Sequence, residues 1–104
     1  MKNLQKLSDV LNNINEYSWQ DSLFLPENKN WNLESNCAVL NMDNLSVDEE
    51  IPQLAIDNKL IYALSIADLQ DIVENAKEQL PHCSNEEIFK AFLYYFNNDA
   101  FIEF

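Results

Sequence analysis

The chain has 104 residues, 47% of them hydrophobic and 12% aromatic, which fits one folded domain over residues 1–104 with no room for a second core. Acidic residues number 18 against 6 lysines and no arginine, giving a net charge of −12. Nucleic acid and anionic lipid both need cationic side chains to displace counterions, so neither is an expected partner; the natural attraction is to something basic, and the plain alternative is that acidity only aids solubility.

In chain order, Leu4, Leu7, Leu11 and Ile14 recur at helical spacing and predict a first helix over about 2–16. The run "SLFLP" (22–26), stopped by Pro26, reads as a strand, and a second strand is expected at Cys37–Met42. Pro52 suits the first turn of a short helix, "PQLAIDN", with Asn58 as a left-handed cap, and "KLIYALS" (59–65) reads as a third strand. Ser65 with Asp68 opens a helix carrying Ile66, Leu69, Ile72, Val73, Ala76 and Leu80, which Pro81 stops. Ser84 with Glu87 makes a capping box for a last helix through Ile88, Phe89, Phe92, Leu93 and Phe96. The predicted order is α-β-β-α-β-α-α. This is an α+β fold, with a small antiparallel or mixed sheet of about three strands, three main helices and one short helix. The order alone does not fix strand pairing. The closing Phe101, Ile102 and Phe104 are apolar enough to be tied down, as a short strand or a docked segment; the lesser alternative is a partner-facing role.

Glycine is absent, which excludes Walker and dinucleotide loops and leaves Asn and Asp to take any positive-φ position. The longest apolar run, Ala91–Phe96, is too short for a membrane span or a signal-peptide core, so the expectation is a cytoplasmic protein with no membrane partner. Cys37 and Cys83 fit reduced thiols in that compartment.

The single histidine, His82, adjoins Cys83 in "LPHCSN", but adjacent side chains project in different directions and make a poor nucleophile–base pair. Two distant cysteines and one histidine fall short of a zinc site. The stretch "NMDNLSVDEEIP" (41–52) holds Asp43, Asp48, Glu49 and Glu50, yet lacks the alternating acids and glycine of a calcium loop. Ser46 and Glu49 also fit an ordinary capped helix start. Carboxylate chemistry on phosphate needs a cation as well, and the lysines are scattered. The expectation is therefore no enzyme, no catalytic residue, no metal and no cofactor.

What remains is charge. Asp71, Glu74 and Glu78 fall at i, i+3, i+7, with Asp68 on the same side and Lys77 as partial relief. Such a stripe is commonly a solvated helix face. Together with Asp43, Asp48, Glu49 and Glu50 it forms a broad negative field suited to steering the chain toward a cationic surface, and these eight residues are the candidate partner-binding set. Trp19 and Trp31, in "YSWQD" and "NKNWNLE", read as packing residues.

The segments "SWQDSLFLP", "YALSIADLQDIVENA" and "YYFNNDAFIEF", the last with its Tyr-Tyr, Asn-Asp, Phe-Ile-x-Phe ending, resemble small acidic bacterial immunity proteins of polymorphic and contact-dependent growth-inhibition toxin systems. The resemblance spans nearly the whole chain on packing motifs. It implies a cytoplasmic antitoxin that binds a cognate toxin domain, frequently a nuclease, and blocks its active site or substrate groove. The alternative is an acidic adaptor or regulatory protein with some other basic partner.

Overall fold

The computed structural model describes residues 4–41 and 53–104. It is an α+β structure. Its elements are β1 (Gln5–Lys6), α1 (Leu7–Asn12), a 3₁₀ turn (Ile14–Glu16), β2 (Ser22–Pro26), β3 (Asn36–Leu40), α2 (Gln53–Asp57), β4 (Leu60–Ser65), α3 (Ile66–Gln79) and α4 (Asn85–Asn98). The four strands form one sheet in the order β1-β3-β2-β4, and each neighbouring pair is antiparallel.

β2 is central, and its side chains alternate between two apolar layers. Leu23 and Leu25 enter the main core with Cys37 and Ala63 from the flanking strands and with residues of α1, α3 and α4. Phe24 points the other way, into a smaller cluster with Ala38, Leu60 and Ala55 of α2. Burial on both faces explains why "SLFLP" is a continuous apolar run without polar alternation. β4 makes one irregular pairing: Leu23 faces Leu64 and Phe24 faces Tyr62, so Ala63 is the extra residue of a bulge. The bulge lets Ala63 and Leu64 both pack on the main core.

Trp31 seals one end of that core. It is buried, its indole Nε1 donates to the Pro26 carbonyl at 2.7 Å, and its ring meets Phe96 edge-on at 4.8 Å. The expectation for Trp19 fails, since that ring is 65% exposed. Both residues sit among polar neighbours in the sequence. What separates them is the Pro26 carbonyl, which gives the Trp31 N–H a partner inside the fold.

The first helix is much shorter than its periodicity suggests. Gln5 and Lys6 pair with Cys37 and Asn36 as a fourth strand, and Lys6 has extended backbone angles (φ −83°, ψ 143°). The Leu7 and Ser8 amides then donate to the Ser35 and Leu33 carbonyls at 3.0 and 2.9 Å, which fixes the helix start. Leu7, Val10, Leu11 and Ile14 are buried in the main core, whereas Leu4 packs on the smaller cluster across the sheet. The second strand runs Asn36–Leu40; Met42 and Pro52 lie outside the described residues.

The helix starts at Ser65 and Ser84 match the reading of the sequence. Ser65 Oγ accepts from the Asp68 amide, and Ser84 and Glu87 form a reciprocal capping box. Positive φ falls at Lys29, Lys59 and Asp99. Asn58 is therefore not the left-handed residue after α2; its side-chain amide instead donates to the Leu54 carbonyl at 2.8 Å, and Lys59 makes the left-handed turn at φ 55°. Lysine has no side-chain compensation there, at a cost of about 1–2 kcal/mol.

The closing segment is docked, not paired as a strand. Gln79 holds it with one amide: Nε2 donates to the Ile102 carbonyl at 2.8 Å and Oε1 accepts from the Phe104 N–H at 3.0 Å. Ile102 is buried in the main core, while Phe101 and Phe104 are 44% and 43% exposed. Removing residues 100–104 should lower stability by about 2–4 kcal/mol, one buried isoleucine plus one part-buried and one exposed hydrogen bond. A denaturant midpoint checks this, and an unchanged midpoint would show that the segment adds nothing to the fold.

Candidate functional site

The acidic face of α3 owes its position to what lies beneath it. Ile66, Leu69, Ile72, Val73 and Ala76 turn into the core, which leaves Asp71, Glu74 and Glu78 exposed on the outer side and Asp68 partly covered. Two glutamine amides brace the helix. Gln70 Nε2 donates to the Ile14 and Tyr17 carbonyls at 3.0 Å each, tying α3 to the 3₁₀ turn, and Gln79 ties it to the closing segment. These bonds fix the helix about its own axis, so the carboxylates form a set face.

Shallow depressions flank the row. One, of about 310 Å³, is lined by Asp71, Glu74, Asn75, Glu78 and Phe101. The other, of about 480 Å³, lies between α3 and the 3₁₀ turn and is lined by Asn15, Gln70, Val73, Glu74, Lys77 and Glu78. Glu74 and Glu78 therefore stand on the ridge between them. Among the described residues the ion pair is Lys6–Glu34 at 3.5 Å, so Glu74 is not paired with Lys77 despite the i, i+3 spacing, and Glu78, adjacent to Lys77, is not paired with it either. The four carboxylates do not act as one cluster. Asp68 is partly covered and lines neither depression, whereas Asp71 lines the one walled by Phe101; the charges of both act on Tyr95 of α4. Asp43, Asp48, Glu49 and Glu50 lie outside the described residues.

Aromatic residues border this face; the sequence reading took the closing ones as structural, with a partner-facing role as the lesser alternative. Phe101 contacts Tyr95 at 5.5 Å between ring centroids and remains nearly half exposed. The signal was present in "YYFNNDAFIEF", where aromatics alternate with polar residues instead of forming a closed apolar run. The negative field has a local reporter. Asp68 first, then burial, then Asp99 and Asp71 push the Tyr95 phenol above its ordinary value.

The His82–Cys83 pair offers little reactivity. His82 is exposed in the turn between α3 and α4, and burial and then Glu87 push the Cys83 thiol up, with Lys77 opposing. Burial, aided by Asp9, pushes the Cys37 thiol to about 12. Neither environment favours a thiolate at neutral pH. Among the described residues no group of three or more His, Cys, Asp or Glu side chains is placed to hold a metal ion, and no helix is long and apolar enough to cross a membrane.

Neutralising Asp68 removes the largest contribution at Tyr95, so Asp68→Asn should bring the phenol back toward its ordinary value, with Asp99→Asn giving a smaller shift. Phenolate absorbance against pH, with Tyr95→Phe to assign the transition, checks the order. The raised value means the fold favours the neutral phenol: that contribution is complete below the ordinary tyrosine range and fades as pH rises through the folded value. Equal titration in wild type and Asp68→Asn would show that Asp68 does not act on the ring.

No curated protein and no solved structure matches the chain. The sequence model of one family, described as "Domain of unknown function (DUF7716)", matches residues 4–104, and the chain belongs to that family.

Proposed function

We propose that this protein is an immunity protein: a cytoplasmic, non-enzymatic antitoxin that binds a cognate toxin domain and covers its active site or substrate groove. The toxin is a basic nuclease, such as a ribonuclease. The observation that carries the reading is the exposed row Asp71, Glu74 and Glu78 on a braced helix, with no ion pair to neutralise it among the described residues. A nuclease concentrates positive charge where it holds phosphate, and a rigid row of carboxylates competes for that field. The likeness of "YALSIADLQDIVENA" and the chain's ending to immunity proteins supports the same conclusion, and the sequence carries a second group of acids at Asp43, Asp48, Glu49 and Glu50.

Exposed charge acts mainly on encounter and is screened over roughly 8–10 Å at physiological salt. Association with the toxin domain encoded beside this protein should slow as salt rises, while dissociation changes less. Asp71→Lys, Glu74→Lys and Glu78→Lys together should slow association by about tenfold or more. Asp48→Lys, Glu49→Lys and Glu50→Lys together test the other cluster, and surface-capture kinetics with a circular-dichroism check of folding separate the two. If both triple variants fold and bind at unchanged rates, the acidity serves solubility alone. Failure of the wild-type chain to co-purify with that toxin domain, alongside capture of another basic protein, would favour the adaptor reading.

A further inference from the structure

The smaller depression on α3 is more than a row of acids, because one of its walls is an aromatic ring. Asp71, Glu74 and Glu78 are exposed and Phe101 is 44% exposed, so the recess they line opens to solvent. The ring is held in place from several sides. Ile102, next in the chain, is buried in the main core, and Tyr95 of α4 lies against Phe101 at 5.5 Å between centroids. Gln79 fastens the two sides of the recess with one amide. Its Nε2 donates to Asn75 Oδ1 on the lining and to the Ile102 carbonyl, each at 2.8 Å, and its Oε1 accepts from the Phe104 N–H at 3.0 Å. An apolar ring is thus fixed at the surface against three carboxylates that carry no ion pair among the described residues.

Carboxylates alone accept any cation, but a ring beside them discriminates. An aromatic face favours a flat, weakly hydrated cation over a compact, strongly hydrated ammonium. A guanidinium meets both requirements: its plane lies on the ring while the N–H groups along its edge donate to carboxylates. At about 310 Å³ the recess is at the low end of ligand-pocket volumes, roughly 300–1,000 Å³, which suits the head of one side chain. A metal ion has no use for the ring, and among the described residues these carboxylates do not form a metal-holding group. A second copy of the chain cannot supply the cation, since the sequence has no arginine and two net charges of −12 repel.

We propose that the recess between α3 and the closing segment receives an arginine side chain of the partner, its guanidinium lying on Phe101 and donating to Asp71, Glu74 or Glu78; this rests on the reading of the α3 face as the surface that meets a basic partner. Phe101 is the residue that sets arginine above lysine, and Gln79 is a positioning residue that keeps ring and helix together. The row draws in positive charge, and the ring decides which kind stays.

The test needs no toxin domain. Three end-blocked pentapeptides, Gly-Ser-Arg-Ser-Gly and its lysine and citrulline counterparts, are titrated at low salt into isotope-labelled full-length protein. The arginine peptide should shift the amide resonances of Asp71, Asn75, Glu78 and Phe101 saturably and bind about two- to fivefold tighter than the lysine peptide. The neutral citrulline peptide should leave them unmoved. Phe101→Leu should abolish the arginine preference while lysine binding stays, and Phe104→Leu should keep the preference, which separates loss of the ring from loosening of the segment. Glu74→Gln with Glu78→Gln should weaken both cationic peptides by about fivefold. Equal binding of arginine and lysine to the wild type, a preference that survives Phe101→Leu, or no saturable shift at these residues would each overturn the proposal. The antitoxin reading is decided separately, by co-purification with the toxin domain.

Discussion

β2 is buried on both faces, and the rest of the molecule is arranged around that requirement. A five-residue strand that sends Leu23 and Leu25 to one side and Phe24 to the other must be covered by two separate apolar layers. The thicker layer recruits α1, α3 and α4; among the described residues the thinner one is covered by α2 and Leu4. Each neighbouring strand serves both layers in turn: on β3, Cys37 and Val39 join the larger cluster while Ala38 and Leu40 join the smaller. At β4 the alternation breaks at Ala63, which gives the larger layer two successive side chains. Fully burying one large apolar side chain is worth about 1.5–3 kcal/mol, so three on one short strand outweigh what any single surface ion pair contributes here.

The helices above the larger layer are held apolar-side down and braced by side-chain amides. Gln70 and Gln79, nine positions apart on α3, reach in different directions, one to the 3₁₀ turn and the other to the closing segment. Neither amide carries charge, so the bracing does not neutralise the carboxylates between them. The chain thereby keeps a negative helix face in a fixed orientation, without lysine partners among the described residues. Like charges along that face cost a few tenths of a kcal/mol per pair, a small sum against the buried face of the same helix.

Much of this was legible because burial leaves a strong imprint on sequence. The strand at 22–26 was marked by its uninterrupted apolar run and Pro26, and the two long helices by Ser65, Ser84 and their third-position acids. β1 left no such mark. Two residues have no periodicity, and their partners, Cys37 and Asn36, lie some thirty positions away. The helical spacing of Leu4 with Leu7 was real as a pattern but false as a helix, since the two residues lie in different apolar clusters. The acidic row was readable from spacing alone. Its division was not: Asp68 is partly covered while Asp71, Glu74 and Glu78 stay exposed, a difference set by packing between elements that no local pattern contains.

The left-handed turns at Lys29, Lys59 and Asp99 bear on the unfolded chain as much as on the folded one. Glycine at such positions would relax the native backbone, but it would also widen the range of conformations open to the denatured chain. A residue with a Cβ narrows that range, an effect of about 0.4–1 kcal/mol per position where the native angles are tolerated. With no glycine anywhere in its 104 residues, the protein takes its conformational strain in the native state and begins folding from a less diverse ensemble. Its order is thus partly a property of the polymer, set before any tertiary contact forms.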